Sequence, residues 1–224
     1  MGWSNTNQRV FIVAEAGNNH EGCLEHAFKL VESAAMAGAD VIKFQTFIPN
    51  LYVASEEQER LALLKTFQLS FSDFEKLAEH AKRNKIEFLS TPFDLESAKF
   101  LNKIQNFFKI SSGDNNFLDL LYTVKNFKKP TMISTGLARW DEIQRVIEIW
   151  GKDATQDNLA LLHCVSAYPV PEAQAALEKL YELRNRFPEI SLGYSDHTKG
   201  QSAALLSVGA GARIIEKHFT LDNN

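Results

Sequence analysis

Ser191-Leu192-Gly193-Tyr194-Ser195-Asp196-His197-Thr198 and Arg213-Ile214-Ile215-Glu216-Lys217-His218-Phe219-Thr220 are the two stretches that decide how this chain folds. Each opens as a short apolar run with the look of a buried strand, and each turns polar and reaches a histidine at its end. The residues between them, Gln201 to Gly211, are rich in Gly and Ala and read as helix. A strand–helix–strand crossover of this kind joins parallel neighbours, because an antiparallel pair needs only a tight turn. Parallel neighbours bring His197 and His218 to the same edge of a sheet. Imidazoles so placed, with Asp196 and Glu216 beside them, suit a divalent metal ion left open to substrate. A lone histidine would read as a core or hydrogen-bonding residue; two at matching strand ends read as ligands.

Working outward, the same alternation runs through the whole chain. Strand-like runs lie at Val10–Ala16, Asp40–Thr46, Glu87–Phe93, Phe107–Ser112, Pro130–Gly136, Leu159–Cys164, Ser191–His197 and Arg213–Phe219. Amphipathic segments separate them, at Glu25–Ala37, Phe71–Asn84, Asn116–Phe127, Asp141–Trp150 and Ala173–Phe187. Gly38, Pro130 and Pro188 punctuate the joins. Alternating strands and helices imply a parallel sheet, and eight repeats without a Gly-x-Gly-x-x-Gly turn predict a (β/α)8 TIM barrel rather than an open doubly wound sheet. The chain is read as one catalytic domain, residues 1–224. Because it stops at Leu221-Asp222-Asn223-Asn224, directly after the eighth strand, the barrel is expected to lack its final outer helix. An apolar strip including Val13, Ile215 and the stem of Lys217 is then expected at the surface. The long link Phe47–Ser70 is expected to hold a short helix over Ser55–Phe67, opened by a Ser cap and serving as a lid or as a passive surface insertion.

Composition narrows the function. With 224 residues, 45% of them apolar, the chain can bury a sizeable core. A net charge of −4 with no basic run excludes nucleic acid as the natural partner. No apolar stretch approaches the roughly 20 residues that span a bilayer, so no membrane partner is expected. Met1–Arg9 lacks the order of a secretion signal, and Met1-Gly2-Trp3-Ser4-Asn5-Thr6 matches a myristoylation pattern only by chance. The two cysteines, Cys23 and Cys164, stand far apart and read as reduced thiols, which points to the cytoplasm.

A barrel puts its chemistry at the C-terminal ends of its strands, and the polar groups collect there. Glu15 ends the first strand; Lys43 and Gln45 share a face of the second; Ser90-Thr91 end the third. Lys109 and Ser111-Ser112-Gly113-Asp114 follow on the fourth, and Ser134-Thr135-Gly136 end the fifth. A buried ammonium must pair with a carboxylate, bind an anion or form an imine. Hydroxyls and glycines around Lys43 and Lys109 supply donors for a phosphate or carboxylate, while pairing with Glu15 or Asp114 is the structural alternative. The link Val165–Glu172, with Tyr168-Pro169-Val170-Pro171, sets a tyrosine beside the pocket. The residues alone therefore point to metal-assisted carbon–carbon condensation or cleavage on a phosphorylated substrate. A metal-assisted hydrolase and a Schiff-base aldolase using Lys43, Lys109 or Lys217 stay open.

The runs Ala14-Glu15-Ala16-Gly17-Asn18-Asn19-His20, Val41-Ile42-Lys43-Phe44-Gln45-Thr46, Ser90-Thr91-Pro92-Phe93, Lys109-Ile110-Ser111-Ser112-Gly113-Asp114, Ser134-Thr135-Gly136, Leu162-His163-Cys164-Val165-Ser166-Ala167-Tyr168-Pro169, Gly193-Tyr194-Ser195-Asp196-His197-Thr198 and Glu216-Lys217-His218-Phe219-Thr220 resemble, in order, the sialic acid synthase family. That resemblance implies condensation of phosphoenolpyruvate with an open-chain N-acylated hexosamine such as N-acetylmannosamine. The products are phosphate and a nine-carbon 2-keto acid of the sialate, legionaminate or pseudaminate kind. It implies that His197 and His218 hold a divalent ion that activates the aldehyde, commonly Mn2+, with Mg2+ or Co2+ as alternatives. Lys43, Thr91, Lys109, Ser112 and Ser134 are implied to bind phosphoenolpyruvate, and Glu15 and Glu216 to act beside the reacting centre. Gln45 and Tyr168 are implied to face the sugar. Asp114 stands where some members carry Glu, and Ser166 where sialate-forming bacterial members carry Asn. Members add a C-terminal antifreeze-like domain, absent from this sequence, and pair as homodimers. A truncated, non-catalytic barrel that still binds sugar acids is the remaining alternative.

Overall fold

A computed structural model describes Trp3 and residues 9–222; apart from Trp3, the myristoylation-like start lies outside the described residues, as does the final Asn223-Asn224. In chain order the elements are β1 (Phe11–Gly17), α1 (Leu24–Met36), β2 (Val41–Thr46), α2 (Pro49–Tyr52), α3 (Gln58–Phe67), α4 (Phe71–Arg83), β3 (Glu87–Pro92), α5 (Leu95–Leu101) and β4 (Phe108–Ile110). They continue with α6 (Leu118–Asn126), β5 (Thr131–Ser134), α7 (Trp140–Trp150), β6 (Leu159–Cys164), α8 (Glu178–Arg186), β7 (Ser191–Asp196), α9 (Ser202–Gly209) and β8 (Ile214–His218). The strands form one eight-stranded sheet in the order β3-β2-β1-β8-β7-β6-β5-β4, the sequential order of a (β/α)8 barrel with β3 and β4 at its ends. Among the described residues, no helix is long and apolar enough to cross a membrane.

The chain divides into two compact units, one of Met1–Val13 with Phe107–Lys217 and the other of Ala14–Asn106 with His218–Asn224. In the second unit, β2 and β3 pair in parallel from Val41↔Glu87 to Thr46↔Pro92. Helix α1 buries Ala27, Leu30, Val31 and Ala34, the stripe expected of one helical face. Helix α4 buries Phe74, Leu77 and Ala81 and starts at a capping box in which Ser70 and Asp73 satisfy each other's backbone N–H. Each large side chain so removed from water contributes about 1.5–3 kcal/mol. Helix α5, unforeseen in the sequence, opens on Asp94, whose carboxylate accepts from Ser97 N and Ser97 Oγ and also from Ile48 N.

The Ser55–Phe67 segment is helical, but not as expected. Helix α3 begins at Gln58 behind Glu57, without a side-chain cap, and buries none of its residues. Gly22 lies against its C-terminal end: a Cβ there would sit 2.1 Å from Thr66 O, at a φ of +74°, so only glycine fits.

In the first unit, β4 to β8 pair in parallel through registers that include Lys109↔Met132, His163↔Tyr194 and Asp196↔Lys217. The predicted exposed strip does not form. Val13 is fully buried because it shares a strand face with Glu15, and alternation turns Ile12 outward instead. Ile215 is buried in a cluster with Tyr194, Leu180, Ala203 and Ala212, so residues of α8 and α9 cover it. The described residues after β8, Phe219–Asp222, are not helical.

Candidate active site

The predicted site residues gather in two groups, one in each unit. In the unit of Ala14–Asn106, Glu15 and Lys43 are both buried, and Lys43 Nζ lies 2.7 Å from Glu15 Oε2. Lys43 also donates to Thr91 Oγ1 at 3.2 Å, diagonally across a β2–β3 register that aligns Lys43 with Leu89 and Gln45 with Thr91. Gln45 Nε2 donates to Glu15 Oε1 at 3.4 Å, and its carbonyl accepts from Asn18 at 2.9 Å. Four of the residues singled out in the sequence thus form one network, with Asn18 added from the loop after β1. Phe219 N donates to Glu15 O at 2.7 Å, which ties the backbone just after His218 to the same strand. His218 itself is exposed. His20 is buried, accepts from Gly22 N through Nδ1 at 3.0 Å, and burial lowers its pKa to about 4, so it stays neutral.

In the unit of Phe107–Lys217, Lys109 and Glu216 are buried 3.5 Å apart. Each is held separately: Lys109 Nζ donates to Ile110 O at 3.1 Å, and Glu216 Oε1 accepts from Ser195 Oγ at 2.8 Å. The ion pair of Lys109 is therefore with Glu216 and not with Asp114, the carboxylate weighed from sequence. Asp114 accepts from Ser111 Oγ instead, and burial raises its carboxyl against the lowering effects of Ser111 and Lys109. Ser112 Oγ accepts from Gly136 N at 3.1 Å. A Cβ on Gly136 would sit 2.6 Å from Ser112 Oγ and 2.5 Å from Ser166 Oγ, so the close meeting of these hydroxyls requires glycine. Ser134 is buried, and its hydroxyl has no protein hydrogen-bond partner among the described residues. Asn115, not singled out from sequence, donates from its amide to Ser134 O and Gly136 O and so fixes the turn after β5. Ser195 was legible: it shares a strand face with His197 at a spacing of two.

His197 follows directly on β7. Its Nδ1 lies 2.9 Å from Val165 O and 3.8 Å from Cys164 Sγ, and its ring lies 4.1 Å from that of Tyr168, which is exposed. A carbonyl oxygen only accepts, so Nδ1 carries the proton and a neutral His197 keeps its lone pair on Nε2. Burial disfavours charge on both His197 and Cys164. Their contact nevertheless raises His197 and lowers the Cys164 thiol from their ordinary values. A ring nitrogen bonded to a backbone carbonyl is the usual support of a histidine that binds metal through the other nitrogen. So held, His197 contributes a single nitrogen of the kind that binds metal. Among the described residues, no group of three or more His, Cys, Asp or Glu is arranged to hold a metal. His163 serves a different end, bonding Ala175 O at 2.8 Å, and burial lowers its pKa.

A family model described as NeuB family matches residues 30–224. The chain belongs to the NeuB family. It is 38% identical over 97% of its length to N,N'-diacetyllegionaminic acid synthase of Campylobacter jejuni, covering 69% of that protein. It is 35% identical over 96% of its length to N-acetylneuraminate-9-phosphate synthase of Drosophila melanogaster, covering 61% of it. The solved structure of an N-acetylneuraminic acid synthetase from Leptospira borgpetersenii, in complex with citrate, superposes with a TM-score of 0.91 at 37% identity. That match covers 96% of this chain and 75% of the other. This NeuB-family chain thus spans roughly two thirds of the curated synthases it resembles, and they agree in making sugars of the sialic acid type.

Proposed function

We propose that this chain condenses phosphoenolpyruvate with an open-chain N-acylated hexosamine to give a nine-carbon 2-keto acid and phosphate. The observation that carries the reading is the Lys109 group. A buried ammonium, the Ser112 hydroxyl against Gly136 N–H, and a buried Ser134 hydroxyl lie at the strand ends of one unit. Such a set suits the phosphate and carboxylate of phosphoenolpyruvate. Lys43 and Thr91 contribute in the same sense. Asp114, Ser166, Gln45 and Tyr168 face the sugar. Carbon 3 of phosphoenolpyruvate attacks the aldehyde carbon, the aldehyde oxygen takes a proton, and carbon 2 becomes oxocarbenium-like. Water adds at carbon 2 and loses a proton. The tetrahedral intermediate then breaks its bond to the bridging oxygen, which leaves with phosphate as the keto group forms. Glu15 and Glu216, each beside a buried lysine, hold and move these protons. A divalent ion on His197 and His218, Mn2+ in the first instance, would supply Lewis-acid polarisation of the aldehyde.

The aldolase alternative needs an amine nucleophile. Lys43, Lys109 and Lys217 are each engaged by a carboxylate, which supports cationic roles instead. Assembly as a homodimer in the cytoplasm is part of the same proposal. The test is phosphate release from phosphoenolpyruvate with a panel of N-acylated hexosamines, with chelator and with added Mn2+. Label in the bridging oxygen should leave with phosphate. A lysine trapped by borohydride in the presence of pyruvate would replace this reading with the aldolase.

A further inference from the structure

The residues on either side of His197 are held by a single ammonium. Lys217 Nζ lies 2.6 Å from Asp196 Oδ2 and donates to Thr198 O at 2.9 Å. The other oxygen of Asp196 accepts from Thr198 N at 2.8 Å. The Asp196 side chain is wholly buried, whereas that of Lys217 is 30% exposed. The Tyr194 hydroxyl also bonds Asp196, and burial raises its pKa. Lys217 thus closes a loop of hydrogen bonds around the tripeptide Asp196-His197-Thr198 without touching the imidazole. Two further contacts finish the frame: Val170 N donates to His197 O at 2.9 Å, and Val165 O accepts from His197 Nδ1. The ring can reach Val165 O only while the backbone that bears it keeps its present course.

We propose that Lys217, through Asp196 and Thr198, is a positioning residue that fixes the orientation and tautomer of His197. This rests on the reading of His197 as a metal ligand. Groups bonded directly to metal-binding histidines typically change metal affinity by about 10–100-fold when removed, and Lys217 acts one bond further out, at the lower end of that range. Lys217 keeps the His197 proton on Nδ1 and so keeps the ring's lone pair on Nε2.

The test uses the full chain, freed of metal. Mn2+ alone is titrated into the parent, Lys217→Met and Lys217→Arg, and the nitrogen shifts of the His197 ring are read by NMR in the metal-free state. Lys217→Met should lower Mn2+ affinity about ten-fold and move the ring toward a mixture of tautomers. Lys217→Arg, which can still bridge Asp196 and Thr198 O, should restore both. If Lys217→Met fails to fold because Asp196 is left buried without its cation, Asp196→Asn with Lys217→Met removes both charges and carries the same readouts. Unchanged affinity and an unchanged ring in a folded variant would overturn the proposal. If the parent binds no Mn2+, the metal reading falls, and the tautomer of His197 in Lys217→Met still decides whether Lys217 positions it.

Discussion

Each unit buries one lysine–glutamate pair, and the two pairs are built differently. In the unit of Ala14–Asn106, Lys43 and Glu15 meet at 2.7 Å, with Thr91 on the ammonium and Gln45 on the carboxylate. In the unit of Phe107–Lys217, Lys109 and Glu216 stand 3.5 Å apart, the lysine on the Ile110 carbonyl and the glutamate on the Ser195 hydroxyl. The first is a closed ion pair in direct contact, each charge also holding one hydrogen bond of its own. The second is an open one in which the protein supports each charge on its own. A buried charge stripped of its partner is costly, and the cost is greater where the partner stood closer. The closed pair should therefore matter most to folding, and the open pair most to binding an incoming anion.

The largest effect should come from breaking the closed pair. Lys43→Ala leaves Glu15 buried without its cation, and unfolding in urea should reveal a loss of about 3–5 kcal/mol. Lys43→Met combined with Glu15→Gln, which removes both charges, should recover most of it. Equal losses from Lys43→Ala and Lys109→Ala would erase the distinction between the pairs.

Acid should act next, and through the same unit as the closed pair. His20 has a pKa of about 4 in the folded chain against an ordinary 6.5. As pH falls below 6.5 the unfolded chain takes up this proton first, so stability declines toward pH 4 and then levels. A gap of this size corresponds to roughly 3 kcal/mol at most. His20→Gln should flatten that part of the stability curve. The slope left behind includes His163, the buried neutral histidine of the other unit. Indistinguishable curves for the parent and His20→Gln would show that burial of His20 does not set acid sensitivity.

The two units also differ in how far the sequence revealed them. All eight strands were visible, because a buried parallel strand is a continuous apolar run, and the runs recur with polar residues at one end. The network of Glu15, Lys43, Gln45 and Thr91 was equally open to reading, since its members alternate along strands whose faces follow a period of two. Helix α5 escaped because seven residues give too short a stripe to register, although Asp94 followed by Ser97 carries its cap. The partner of Lys109 escaped for a different reason. Asp114 is five residues away in sequence and drew the pairing, but it sits in a turn that Ser111 satisfies locally. Glu216 reaches Lys109 only through the order of strands in space, which local spacing does not encode. Ile215 was expected at the surface because cover was sought after it in the chain, whereas α8 and α9 lie before it.

The sharpest test of the open pair is Lys109→Ala. Glu216 keeps its bond from Ser195 and loses a cation that stood farther off than the one beside Glu15, so the fold should survive with less loss than Lys43→Ala shows. What disappears is a charge-assisted contact to the anion, worth about 1.5–3 kcal/mol, so binding of phosphoenolpyruvate should weaken by roughly one to two orders of magnitude. Calorimetric titration of phosphoenolpyruvate into the folded variant measures this directly and does not depend on turnover. Lys109→Arg keeps the charge but spreads it over a planar fork, so it should recover only part of the affinity. Should Lys109→Ala bind phosphoenolpyruvate as tightly as the parent while unfolding as readily as Lys43→Ala, the roles given to the two lysines are reversed. Lys43 would then be the cation that meets the substrate, and Glu15 its resting partner.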